Sequence, residues 1–114
     1  MTNQNVTSLE QSLKSKEEGL RHAKERLQVM QDDYEEVSRK SQRFLREVSE
    51  MMMGSEDSFY FQDLADQDQE TSRKVYRYFQ EAEEELNQSM KRLEGEKENL
   101  ASLEQKQKED SYGR

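Results

Sequence analysis

Cysteine, proline and tryptophan are all absent from this chain of 114 residues, and each absence excludes something. Without cysteine there is no disulfide, no thiolate chemistry and no thiolate-bound structural zinc. Without proline, no helix is broken by a residue that lacks an amide hydrogen and clashes with the preceding turn. Long hydrophobic runs are missing too: nothing nears the roughly 20 apolar residues that a membrane span needs. The hydrophobic fraction is 30% against 39% charged, so the apolar residues must be gathered into narrow seams if the chain is to fold. A basic excess is also lacking. Net charge is −8 with acids along the whole length, and no patch tracks a phosphate backbone, so nucleic acid is not expected as a partner. An anionic membrane surface is disfavoured for the same reason. Residues 1–8 carry neither a basic nor an apolar leader segment, so a cytoplasmic chain is expected, or one exported with a partner without a cleaved signal peptide.

What is present favours helix. Glu, Gln, Lys, Arg, Leu and Met dominate, and these side chains lose little rotamer freedom on a helical backbone. A heptad rhythm runs through residues 6–51. One row is Val6, Leu13, Leu20, Leu27, Tyr34, Ser41 and Val48; a second, three residues on, is Leu9, Lys16, Ala23, Met30, Val37, Phe44 and Met51. Steps of three and four place both rows on one stripe, the pattern of a coiled-coil seam. Gly54 then offers a left-handed stop, and Ser55, Asp57 or Ser58 can cap a new helix. In the second arm Phe61, Ala65, Val75, Phe79, Ala82, Leu86, Leu93, Leu100 and Leu103 keep the rhythm, while Asp68, Ser72, Ser89 and Glu96 break it.

The expected fold is therefore all-α: two long antiparallel helices in a coiled-coil-like hairpin, one domain over residues 1–114. The first helix covers about 6–53, the turn about 54–58, the second helix about 58–106, and residues 107–114 form a frayed tail. At about 1.5 Å per residue each arm is on the order of 70 Å long. Lys16 and Glu96 fall at similar heights and can pair across the seam, although half a heptad of slippage packs equally well.

A two-stranded hairpin hides little surface, so the apolar residues outside the seam matter. Val29, Leu45, Met52, Phe59, Tyr60, Leu64, Tyr76, Tyr78 and Met90 exceed what one partner helix covers. Seven of the aromatic residues (Phe44, Phe59, Tyr60, Phe61, Tyr76, Tyr78 and Phe79) cluster around the turn. Aromatic and Met side chains in such a cluster suit protein contact. Phe44, Leu45, Met52, Phe59, Tyr60, Leu64, Tyr76 and Tyr78 are the candidate anchors.

No catalytic residue, cofactor site or metal site is expected. His22 is the only histidine and sits off the seam near Glu18 and Glu25, a setting that fits a solvated helix surface better than a ligand set. The run Glu81, Glu83, Glu84 and Glu85 lacks the glycine-bearing loop that wraps oxygen ligands around calcium. No glycine-rich phosphate loop and no nucleophile–histidine–acid grouping occurs. Met51–Met53 with Phe59–Phe61 have the composition of a membrane-touching tip, but Glu50, Glu56, Asp57 and Asp63 flank them and favour protein contact.

The layout resembles the small helical hairpins encoded beside type VII secretion substrates in Gram-positive bacteria. It is most similar to the second-type targeting partners of LXG-domain toxins. The likeness lies in the charged first arm, the stretch Tyr34-Glu35-Glu36-Val37-Ser38-Arg39-Lys40-Ser41-Gln42-Arg43-Phe44, the aromatic turn and the Glu/Lys/Leu-rich second arm. It covers nearly the whole chain as a pattern, without a sharp motif. The resemblance implies a chaperone-like factor that binds the helical N-terminal region of a toxin beside a second small helical targeting protein. A self-associating coiled coil, that is a homo-oligomer, is the alternative. Two features depart from the wider family. Met52-Met53-Gly54 stands where that family carries Trp-x-Gly, and its aromatic-to-acid export spacing is met only by Phe79 and Glu83, in mid-helix. The resemblance thus implies no export signal of the chain's own.

Overall fold

The computed structural model describes the backbone of residues 2–112 and the side chains of residues 5–110. Two helices make the fold, α1 (Thr2–Met51) and α2 (Ser58–Tyr112), with no strand among the described residues. They are antiparallel and pack side by side as a coiled-coil-like hairpin.

The turn follows from backbone chemistry. After Met51 the chain tightens: the Met52 amide donates to the Val48 carbonyl at 2.9 Å and the Met53 amide to Glu50 at 3.4 Å. Gly54 then turns with φ +82°, a conformation that penalises any Cβ. Ser55 serves both helices: its carbonyl accepts from the Ser58 amide at 3.3 Å, at the start of α2. Its amide and its hydroxyl both donate to the Met52 carbonyl, at 2.9 and 2.7 Å, satisfying a group that the helix end leaves open. The first α2 bond runs from the Phe61 amide to the Asp57 carbonyl at 3.3 Å.

α1 begins at Thr2, earlier than expected, and ends at Met51 rather than at 53, while α2 runs past its expected end. α2 continues through Tyr112, so the fraying expected from Gln107 is not found in the described part of that tail. No glycine lies between Gly95 and Gly113 and no proline anywhere, so nothing in this stretch stops a helix.

The chain divides into two compact units: Met1–Glu25 with Glu83–Arg114, and Arg26–Ala82. A two-stranded hairpin makes each cross-arm contact between residues at one height, so no single core gathers the whole chain.

The first unit is held by leucine. Leu13, Leu93 and Leu100 are buried together, with Val6 and Leu20 packed against them. Lys16 pairs with Glu96 at 3.0 Å, as expected, and Lys97 pairs with Glu17 at the same distance. Exposed pairs such as these contribute only about 0.2–1 kcal/mol each, but they select one register. Leu103, expected in the seam, is exposed; Glu104 and Gln107, four and seven residues beyond Leu100, take the inner positions.

The second unit is held differently. Leu27 and Phe79 are its buried apolar residues, and two serines, Ser38 and Ser72, are buried with them. The Tyr34 ring meets Tyr76 edge to face at 5.8 Å and Phe79 at 6.0 Å. Its hydroxyl lies 3.1 Å from that of Ser72, which in turn is 3.4 Å from Ser38. Ser41 donates to Asp68 Oδ1 at 3.2 Å, while Asp68 Oδ2 is enclosed without a hydrogen bond.

Candidate functional site

The seam of the second unit is turned relative to the expected one, and this rotation creates the candidate site. The first row is correct: Leu27, Tyr34, Ser41 and Val48 are buried or half-buried. The row beside it is not Met30, Val37, Phe44 and Met51. It is Gln31, Ser38, Leu45 and Met52, one residue further on. Asp68 and Ser72 supply the reason. Tyr34 and Ser41 on the unchanged row already bond them, but Ser72 is buried, and beside Val37 its hydroxyl would lose its second partner, at a cost of about 1 kcal/mol. Facing Ser38 and Ser41, Ser72 gains hydroxyl partners and Asp68 one donor.

The displaced row is left in solvent. Met30, Val37, Phe44 and Met51 are all exposed, spaced seven apart and so aligned along one side of α1. In the first unit Leu9 is likewise exposed, so both units leave apolar members of this row unburied.

The expected anchors separate into two groups. Phe44, Phe59, Tyr60, Tyr76 and Tyr78 are exposed, as a docking role requires. Leu45, Met52 and Leu64 are half-buried: the turned seam brings Leu45 inward on α1 and Met52 inward just past its end, and Leu64 flanks Ala65 on α2. The exposed rings are braced rather than loose. Tyr60 stands edge to face with Phe61 at 5.4 Å and Tyr78 with Phe79 at 6.1 Å, while Tyr76 leans on Tyr34. Sequence reasoning missed Met30, Val37 and Met51 as surface residues because their spacing reads as seam. The signal that finds them is the matching of polar breaks, Ser38 and Ser41 on one arm with Ser72 and Asp68 on the other.

No family model matches the chain, and no curated protein or solved structure does so either.

The charged groups form no compact site. His22 Nδ1 lies 3.9 Å from Glu25 Oε2 on an exposed surface, and among the described residues no three metal-ligating side chains converge. Glu81, Glu83, Glu84 and Glu85 are all exposed on α2. In the first unit the Glu104 carboxyl is raised above the usual 4.5, first by Glu10, to which its protonated form can donate, then by desolvation and by repulsion from Glu10, with Lys108 acting in the opposite direction. Among the described residues, no helix is long and apolar enough to cross a membrane.

Proposed function

We propose that this chain is a non-catalytic adaptor that binds the helical N-terminal region of an LXG-type toxin. In this reading it acts beside a second small helical targeting protein and makes the toxin competent for type VII secretion. The observation that carries the binding role is the exposed heptad row Met30, Val37, Phe44 and Met51. A row at that spacing suits one further helix lying alongside α1, whose side chains enter between the knobs as in any coiled coil. Apolar surface organised over several turns is uncommon on a chain that works alone. The family to which the adaptor role is assigned rests on the pattern resemblance, and the exposed row is what that role needs.

The rival reading is self-association, in which the row is buried against a second copy. Sedimentation of the isolated chain separates the two: the adaptor stays monomeric until toxin is added.

The direct test is co-purification with the N-terminal region of an LXG toxin encoded beside this chain. Replacing Phe44 and Tyr60 together by Ala removes two exposed rings and should abolish recovery of the complex while far-UV circular dichroism is unchanged. Undiminished recovery would take the docking role away from these residues.

A further inference from the structure

The net charge of the chain is concentrated in the end that carries the turn. Between residues 47 and 72 stand eight Asp or Glu and not one Lys or Arg; the other 18 acids are matched by the chain's 18 bases. The imbalance of −8 thus belongs wholly to this segment, and the same segment exposes Met51, Met53, Phe59 and Tyr60. We infer that the turn end of the hairpin is a docking surface for a basic amphipathic helix, its Lys or Arg set around the acids and its apolar face on the exposed Met and aromatic side chains.

Charge complementarity selects this occupant from the others. A second copy would bring an identical acidic end and be repelled, and an anionic membrane would be repelled as well. A cationic helix gains in two ways at one place. Its charges approach acids such as Glu56, Asp57, Asp63 and Asp66, all of which are exposed. Its Lys or Arg can also lie over the faces of Phe59 and Tyr60, a contact that strengthens once the partner excludes water. The rest of the chain is balanced in sum, the run Glu81, Glu83, Glu84 and Glu85 being offset by bases elsewhere, so the acids of the turn end set which segment docks and in which orientation, while the apolar side chains hold it there. This rests on the adaptor reading and adds the chemistry of the partner at one end of the docking surface.

The test uses the full chain and two synthetic helical peptides with the same leucine heptads, one carrying Lys and the other Glu at every polar position. Fluorescence anisotropy should show the Lys peptide binding at least tenfold more tightly than the Glu peptide, with the preference shrinking as salt rises. Glu56→Gln, Asp57→Asn, Asp63→Asn and Asp66→Asn together should weaken Lys-peptide binding about tenfold, the scale expected of four rim charges. Removing four acids elsewhere (Glu94→Gln, Glu98→Gln, Glu109→Gln and Asp110→Asn) changes net charge equally and should leave binding within about twofold. Phe59→Ala with Tyr60→Ala should weaken it at high salt as well as low. All of these positions are exposed, and unchanged circular dichroism verifies folding in each variant. Equal loss from the two charge sets, or equal binding of the two peptides, overturns the inference. Failure here is distinguishable from failure of the adaptor role. A toxin region that co-purifies undiminished with the first charge variant refutes only the basic-helix inference, whereas a chain that selects the Lys peptide but recovers no toxin refutes only the adaptor.

Discussion

Truncating Phe to Ala at three positions tests whether the surface aromatics are free to bind. Phe79 is 6% exposed and packs against Tyr34, whereas Phe44 is 62% and Phe59 80% exposed. Removing a buried ring costs about 3–5 kcal/mol in a compact core. Here no described side chain is fully enclosed, so neighbours can close in and the lower figure, about 3 kcal/mol, applies. For a domain of this size that is a fall in melting temperature of roughly 12 °C, at about 4 °C per kcal/mol. At Phe44 and Phe59 little burial is lost, and the better helix propensity of Ala returns a few tenths of a kcal/mol. Those two variants should therefore melt within roughly 2 °C of the parent, since surface substitutions stay within about 0.5 kcal/mol. Urea and thermal unfolding followed by far-UV circular dichroism give all three values. The reasoning fails if Phe44→Ala or Phe59→Ala costs as much as Phe79→Ala, because the ring would then be packed within the fold and unable to serve a partner.

Two further perturbations probe the arms and their turn. Gly19 and Gly95 lie inside helices and a Cβ at either meets nothing within 4 Å, so Ala at each should raise stability by about 0.5–1 kcal/mol, while Gly54→Ala, at φ +82°, should lower it by about 1 kcal/mol. Opposite signs in the same unfolding assay are the expected result. Because the carboxyl of Glu104 is raised in the folded chain, the fold binds that proton more tightly than the unfolded chain does. The benefit is present in acid, below about 4.5, and is lost as pH rises through the elevated folded value. Glu104→Gln should remove this step from a stability–pH profile, and a profile identical to the parent's would refute it.

Much of the fold could be read from the residues. The long apolar row from Val6 to Val48, the glycine stop and the absence of proline dictate two long helices; Lys16 and Glu96 do pair, although the sequence alone leaves the register open to half a heptad of slippage. The one-residue shift of the seam is harder to see. Val37 and Phe44 are better core residues than Ser38 taken singly, and a count of apolar positions on α1 alone prefers them. The decision is made on the other arm, where Asp68 and Ser72 need hydrogen-bonding partners, a cost that periodicity does not register. The exposed Tyr60 and Tyr78 were legible as surplus. Leu45, Met52 and Leu64 were not recognised as seam because each sits one residue from a position that the heptad already filled.

The hydroxyl contacts among Tyr34, Ser38 and Ser72, with Ser41 and Asp68 beside them, also constrain how such a sequence can drift. An apolar replacement at 38 leaves the Ser72 hydroxyl with Tyr34 alone, and one at 72 leaves the Ser38 hydroxyl with Gln42 alone, while a change at both removes the need for either contact. Positions 38 and 72, although 34 residues apart along the chain, are therefore expected to exchange alcohol for oil more readily as a couple than singly.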